Sequence, residues 1–390
     1  MNILIATNHL ALYGGSEIVC LEMAEYFKSR GHRLTVFASV AAAPMADIFG
    51  SRLGVKIVTD PREIAPFRYD LAYIQHQVAG LFDYRRDAHS LEKTAFVFGK
   101  LGRRSFMESG GWRHDRVLAD AYFANSEETA NSLRGAGVQA PITVFHNAAP
   151  AAFFRPSSAT QGTLRTITLI SNHNDPELMG AIDRLALDHK VQRIGLRQGR
   201  QAMVTPVVIH ASDLIVSIGK SAPYALAGGV PVFVYDHFGG PGYLTHDNFD
   251  RAARFNFSGR CCERRLDAAA LAKEIVDGYA RGRAFIGELG AKGLARYRLE
   301  PYLDAMLATV PSDNAARAAH LAADPMIAQE RLLATYVQSQ SMEAHDSRNR
   351  PERRLGRTIK YTLIAARRQG ALIARKGLRL FSGLAQSFSA

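Results

Sequence analysis

The sequence predicts an α/β chain of two doubly wound domains with a helical extension at its C-terminal end. Three observations carry that reading. Short apolar runs alternate with amphipathic stretches, the alternation lapses once and restarts, and 390 residues are too many for one core of usual size. With 47% apolar and 22% charged residues, the chain has the composition of a protein folded along most of its length.

Residues 2–6 read as the first strand, and residues 16–30 as a helix with Ile18, Val19, Met23 and Phe27 on one side. Gly31 is placed to end that helix. Further strands are expected at 34–38, 55–58, 71–74, 94–98, 121–124 and 142–145. Few charges fall inside these runs, as in strands buried on both faces of a parallel sheet. Residues 148–162, rich in Ala, Pro, Ser and Thr, read as a linker. The domains are therefore expected at 1–150 and 163–311, with the helical extension at 312–390. In the second domain strands are expected at 166–170, 193–196, 205–209, 214–218 and 230–235. Helices are expected near 175–189, 268–280, 284–297 and 314–335, and a polar connector at 338–351. In doubly wound sheets ligands sit at the carboxyl ends of strands, so the loops there are where chemistry is sought.

The net charge of +12 raises nucleic acid as a partner, but its distribution argues against one. Residues 351–390 hold nine Lys or Arg against one Glu, so two thirds of the excess belongs to the tail. Wound as a helix, that tail puts Leu355, Ile359, Ala366, Ile373, Leu380 and Leu384 on one side. Arg353, Arg357, Arg368, Arg375 and Arg379 fall on the other, while Gly356, Gly370, Gly377 and Gly383 weaken the helix. Residues 353–384 read either as an interfacial helix on an anionic membrane or as a helix packed on its own protein. No signal peptide or spanning segment is expected, since the first apolar run is short and none approaches ~18 residues. Cys20, Cys261 and Cys262 have neither C-x-x-C nor zinc-ligand spacing. The expected location is cytoplasmic, with the tail as a means of peripheral attachment to the inner membrane face.

Three motifs carry chemistry. In Tyr13-Gly14-Gly15-Ser16-Glu17, two glycines before a helix let the backbone approach a ligand and the helix start offers N–H groups. A tight turn capped by Ser16 is the plainer reading, and the spacing is not that of a nicotinamide dinucleotide site. The second is Gly219-Lys220-Ser221 between a strand and a helix, continuing to Tyr224 and Gly228-Gly229. Close backbone approach at Gly219, N–H groups around Ser221 and the Lys220 ammonium suit a diphosphate. Its plain alternative is a βα turn with an exposed lysine. The third is Asp236-His237-Phe238-Gly239-Gly240-Pro241-Gly242-Tyr243, whose glycines imply a backbone held close to a ligand or to another strand. Arg260 nearby is a candidate phosphate partner or a solvated loop residue.

Gly14-Gly15-Ser16-Glu17 resembles the G-G-x-E of retaining GT-B glycosyltransferases of the family 4 type. Ala124-Asn125-Ser126-Glu127 and Val144-Phe145-His146-Asn147 followed by Phe153-Phe154 are similar to two further stretches of that family, in the same order. The segment from Ser212 to Asp236 resembles the second-domain region in which GT-B enzymes hold the nucleotide. The resemblance implies two Rossmann-like domains facing across a cleft. It implies donor contacts at Gly219, Lys220, Ser221, Tyr224, Gly239, Gly240, Tyr243, Arg260 and His173, and sugar or acceptor contacts at Gly14, Gly15 and Asn147. His76 and Lys100 become the catalytic candidates, with Arg103 in the same loop region as Lys100. No metal is implied, because no Asp-x-Asp stands at a suitable strand end, and no cofactor is expected beside the nucleotide-sugar itself. The family's E-x7-E is missing, Tyr224 standing where its second Glu would hold the ribose. Its Arg and Lys are replaced by Ser171-Asn172-His173-Asn174-Asp175.

The activity this implies is transfer of a sugar from a nucleotide-diphosphate donor to a glycan or lipid-linked acceptor, in cell-surface polysaccharide synthesis. The missing acidic and basic residues keep two alternatives open. One is a GT-B-like binding or assembly protein without turnover, and the other is a nucleotide-sugar epimerase or hydrolase.

Overall fold

The computed structural model describes residues 1–102, 111–155, 162–196, 198 and 201–349. They fall into two compact units, Met1–Pro150 with Arg298–Asn349, and Ala151–Tyr297. Residues 298–311, expected in the second domain, thus cluster with the first, as does the helical stretch after them. The basic tail and Arg103 lie outside the described residues.

Unit 1 is built on seven parallel strands: β1 (Asn2–Leu10), β2 (Arg33–Ala41), β3 (Ile57–Val58), β4 (Leu71–Gln75), β5 (Lys93–Lys100), β6 (Ala121–Ala124) and β7 (Ile142–Val144). Their order across the sheet is β3-β2-β1-β4-β5-β6-β7. Each β-to-β crossover is covered by helices such as α1 (Gly15–Ser29), α2 (Met45–Leu53), α3 (Trp112–Leu118) and α4 (Glu127–Gly135). Every residue of β4 is buried, and so is β5 after its first. The apolar runs form strands because both faces of the sheet are covered. Phe37, Phe67, Phe82, Phe96 and Phe98 fill the space beneath one layer of helices. Each such ring is worth about 1.5–3 kcal/mol on burial.

Unit 2 repeats the plan with β8 (Thr166–Ile170), β9 (Lys190–Ile194), β10 (Leu214–Ser217), β11 (Val232–Asp236) and β12 (Gly239–Tyr243), in the order β12-β11-β10-β8-β9. Only β12 runs antiparallel, against β11. Its helices are α5 (Pro176–Leu185), α6 (Pro206–His210), α7 (Ser221–Ala227), α8 (Phe249–Arg254), α9 (Ala268–Asp277) and α10 (Tyr279–Leu294). Local chemistry starts several of them. Pro176 and Pro206 stand in first turns, and the Asp267 carboxylate accepts from the amides of Ala269 and Ala270.

Three expectations change, and one open reading is decided. Residues 205–209 are not a strand: Thr205 accepts from the Val208 amide and Pro206 follows it, so the apolar quartet winds into α6. The glycine stretch 239–243 takes the second of its two readings, held against another strand as the edge strand β12. The single helix expected over 314–335 is two, α12 (Asn314–Ala323) and α13 (Met326–Asn349), parted where Asp324 is held extended before Pro325. The connector expected from Gln338 is helical as far as Asn349. With no Gly or Pro between Met326 and Asn349, and with Ile327 and Ala334 buried against unit 1, polar composition alone does not end it. Between α11 (Glu300–Leu307) and α12, β13 (Ser312–Asp313) pairs antiparallel with β5. Among the described residues no helix is long and apolar enough to cross a membrane.

Arg317 on α12 fastens this return to the sheet. It is 4% exposed and donates to the carbonyls of Thr94, Ser312 and Leu118 and to Asp120, the carboxylate at 2.6 Å. A buried pair of this kind is costly to break from one side. Arg317→Ala is expected to lower the stability of unit 1 by about 3–5 kcal/mol. Urea unfolding followed by the fluorescence of Trp112, the one tryptophan of the chain, measures it. An unmoved midpoint would show that α12 is not held by this contact.

Candidate functional site

In each sheet the strand order reverses beside the first strand, between β1 and β4 in unit 1 and between β8 and β10 in unit 2. Loops on the two sides of such a point diverge and leave a crevice at the carboxyl ends. The crevice of unit 1 is bounded by residues 11–14 after β1 and by His76 after β4.

Glu17 organises the first of these loops. Its carboxylate is buried and accepts from the amides of Ala11 at 2.6 Å, Leu12 at 2.7 Å and Gly14 at 2.8 Å. Gly14 is a glycine because a Cβ there would lie 2.4 Å from Glu17 Oε2. Gly15 is different: a Cβ would meet nothing within 4 Å, so the start of α1 faces open space. The Glu of the G-G-x-E motif thus shapes the turn, and Gly15 is the position with room for a ligand.

His76 is 3% exposed and has φ 63°, a conformation costly for any residue but glycine. Its Nδ1 lies 3.0 Å from Thr7 Oγ1 and accepts from the Asn8 amide at 3.4 Å. The His9 ring lies parallel to it at 5.4 Å. Burial pushes the His76 imidazole down to about 3, with His9 and Lys100 adding to the shift, so the ring is neutral at ordinary pH.

Lys100, expected as a catalytic group, is placed otherwise. It is 2% exposed at the end of β5, its ammonium 2.8 Å from the buried Asp115 carboxylate and 5.0 Å from the centre of the Trp112 ring. Burial raises the Asp115 carboxyl and the lysine opposes that rise. The pair holds α3 to the sheet, and Lys100 acts on His76 only through its charge. Asn147 is buried with φ 52°, following His146 at φ 53°. Asn125 and Ser126 are spent on local structure: Asn125 donates to Leu101 O at 2.5 Å, and Ser126 caps α4 by accepting from the Thr129 amide.

In unit 2 the loops after β8 and β10 bound the crevice. Gly219 has φ 61°, which requires glycine, and its amide donates to Asn256 O at 3.1 Å. Lys220 is 9% exposed, so it is turned inward and not into bulk water, and its Nζ stands 5.1 Å from the centre of the Tyr224 ring. Ser221 opens α7, but this helix start offers fewer donors than the sequence suggested. The Ala222 amide is spent on Gly219 O, and Pro223 has none. The His173 ring, after β8, stands 5.6 Å from that of His237, after β11. Gln198 donates to His173 O at 2.8 Å, tying the loops after β8 and β9 together.

Three donor-site expectations are corrected. Tyr224 is stacked on Phe153 at 4.0 Å and nearly parallel, with Lys220 over the ring, so neither face is open to a base. Tyr243 is 1% exposed, and its hydroxyl donates to Ile275 O at 2.6 Å. Gly278 and Gly282 make room for its ring, which belongs to the core. Gly239 and Gly240 lie against the Arg264 and Val234 backbones, where a Cβ would come within 2.2 Å and 2.1 Å of carbonyl oxygens. Those glycines serve another strand and a loop rather than a ligand. Arg260 is half-buried, its guanidinium 5.8 Å from the Phe238 ring centre. Beside it the Asp236 carboxylate accepts from Phe238 N, Ser258 Oγ and Gly259 N, a knot whose donors sequence spacing did not reveal. Among the described residues no group of three or more His, Cys, Asp or Glu is arranged to hold a metal ion.

These placements separate structural from ligand-facing positions. Gly14→Ala is expected to destabilise unit 1 by about 1–3 kcal/mol through the Glu17 clash, while Gly15→Ala does not lower its melting temperature. Equal losses in a thermal melt would mean that Gly15 has no open space before it. Tyr243→Phe is expected to cost about 1 kcal/mol of unit 2 stability with nucleotide affinity unchanged. A weakened nucleotide titration would return Tyr243 to the site.

Residues 13–152 match the model of Glycosyltransferase Family 4. No curated protein matches the chain. Among solved structures it is similar to a UDP-GlcNAc 2-epimerase from Neisseria meningitidis bound to UDP-GlcNAc, at 12% identity over 79% of this chain and 99% of that one, with TM-score 0.47. It is also similar to Acinetobacter baumannii MurG, at 11% identity over 78% and 99% with TM-score 0.46. A glycosyltransferase from Rickettsia africae is similar at 11% over 86% and 98%, with TM-score 0.41. Likenesses this distant carry no argument about activity. The two Rossmann-like sheets and the match across the first of them make this chain similar to the family 4 glycosyltransferases of the GT-B type, the likeness resting on residues 13–152.

Proposed function

We propose that the chain transfers a sugar from a nucleotide-diphosphate donor to a glycan or lipid-linked acceptor, without a metal ion, in cell-surface polysaccharide synthesis. Unit 2 holds the donor at the loops after β8 and β10, and unit 1 receives the sugar and acceptor at Gly15 and His76. The observation that carries this reading is the inward-turned Lys220 beside a left-handed Gly219 at the strand-order reversal. A departing nucleotide diphosphate needs positive charge that is already in place. Lys220, the Ser221 amide and Arg260 are the groups near that crevice that supply it, in place of the arginine and lysine the family has there.

Transfer predicts nucleotide release that depends on acceptor when a panel of nucleotide-sugars is supplied. Release without acceptor would point to a hydrolase or epimerase instead, and binding without release to a non-catalytic partner. Lys220→Ala is expected to weaken nucleotide-diphosphate binding by about 1.5–3 kcal/mol, the worth of a charge-assisted contact. Calorimetry that finds the affinity unchanged would remove Lys220 from the donor site. The basic residues of 353–384 extend the proposal to an anionic membrane surface. Deleting residues 353–390 is expected to lower binding to vesicles containing anionic lipid and to leave transfer to soluble acceptors intact, as a co-sedimentation assay would show. Equal binding by both forms would end that part of the reading.

A further inference from the structure

A line of buried polar groups runs behind His76 on the central strands of unit 1. Tyr73, Gln75 and Thr7 are each 0% exposed. The Tyr73 hydroxyl donates to Gln75 Oε1 at 3.2 Å. It fits because its neighbour is Gly99, where a Cβ would come within 2.0 Å of it. The Gln75 amide nitrogen donates in turn to Thr7 Oγ1 at 2.8 Å and to the Ser16 carbonyl, in the first turn of α1, at 3.1 Å. These contacts fix which way the Gln75 amide faces.

Counting protons along the line leaves one arrangement. The buried Cys20 thiol, raised by burial, is neutral. Thr7 Oγ1 accepts from Gln75, and a hydroxyl has a single proton to give. That proton faces His76 Nδ1, 3.0 Å away. The Asn8 amide also donates to Nδ1, so this nitrogen has no proton of its own. A neutral imidazole then carries its proton on Nε2, which has no hydrogen-bond partner among the described residues. The charged neighbour Lys100 and the His9 ring both disfavour a second proton.

We propose that Thr7 and Gln75 are positioning residues that lock the His76 ring as its Nε2–H tautomer, so that it offers a donor to a hydroxyl oxygen of the sugar or acceptor received in the crevice of unit 1. The lock stands on geometry alone, and its use in transfer rests on the function proposed above. His76 on this view gives a hydrogen bond and does not take a proton as a base. The same Gln75 amide joins the ring to the start of α1, so the two ligand-facing features of unit 1, Gly15 and His76, are set by one side chain.

Nitrogen NMR of protein labelled in its 13 histidines tests the lock on the resting enzyme, with His76→Gln identifying the resonance. At pH 7 the wild type and Thr7→Ser are expected to show Nε2 protonated and Nδ1 bare. Thr7→Val and Gln75→Leu leave Nδ1 only the longer contact from the Asn8 amide, at 3.4 Å, and are expected to give a mixture of tautomers, with kcat lowered about tenfold and KM little changed, about the worth of one hydrogen bond. A wild-type ring protonated on Nδ1, or on both nitrogens, would overturn the proposal even if a variant failed to fold. Thr7→Val with an unaltered tautomer would remove Thr7 as the lock, and a mixed tautomer with unaltered kcat would remove the lock from transfer. An inactive wild type with a clean Nε2–H ring would sink the proposed function and leave the lock standing.

Discussion

A parallel sheet covered on both faces allows no water to its strands, so polar groups at its carboxyl ends must be satisfied locally or face a ligand. That constraint shapes both units. In unit 1 it is met by Glu17, which takes three loop amides, and by the Tyr73–Gln75–Thr7 line that ends on His76. In unit 2 it is met by Asp236, which gathers the turn after β11 and the Ser258–Gly259 turn. What these carboxylates and amides leave open is small and well placed: the space before Gly15 and the Nε2 of His76. Binding sites here are the remainder after the backbone has been satisfied.

The two units solve the charge problem differently. Unit 1 buries a full ion pair, Lys100 with Asp115, behind a neutral histidine, and the lysine disfavours a cationic ring. Buried pairs gain little stability over apolar packing, so the benefit lies in what the charge does to its neighbour. Unit 2 turns Lys220 inward against an aromatic face. On the proposed function, a leaving diphosphate would meet that charge, while the neutral His76 of unit 1 would offer a donor without charge. That division suits a reaction in which negative charge collects on the nucleotide.

Much of the architecture was legible in the sequence. Eleven of the twelve apolar runs read as strands overlap strands, β1 to β11, though often with different ends, because double-sided burial favours that composition. The linker-like break near 148–162 marks the passage between the units, but nothing in composition says that residues 298–349 return to the first, since that depends on contacts such as those of Arg317. Residues 205–209 were misread, and 239–243 left between two readings, for one reason. Apolar runs and glycine runs are each ambiguous until a cap or a partner strand decides them, Thr205 in one case and β11 in the other. At the site, Gly15, Gly219 and Lys220 were visible from their motifs. Tyr243 and the paired glycines were not told apart from ligand contacts, because a glycine needed by a neighbouring backbone and one needed by a ligand look the same in sequence. The Thr7–Gln75 line was invisible, its members lying 68 residues apart and meeting only across adjacent strands.

The claim on which the account turns is that the crevice of unit 2 receives a diphosphate. A crystal soaked with a nucleotide diphosphate tests it most directly. The account predicts the two phosphates beside Gly219 and the Ser221 amide, within reach of the Lys220 ammonium. Phosphates bound elsewhere, with Lys220 still packed on Tyr224 and untouched, would contradict it.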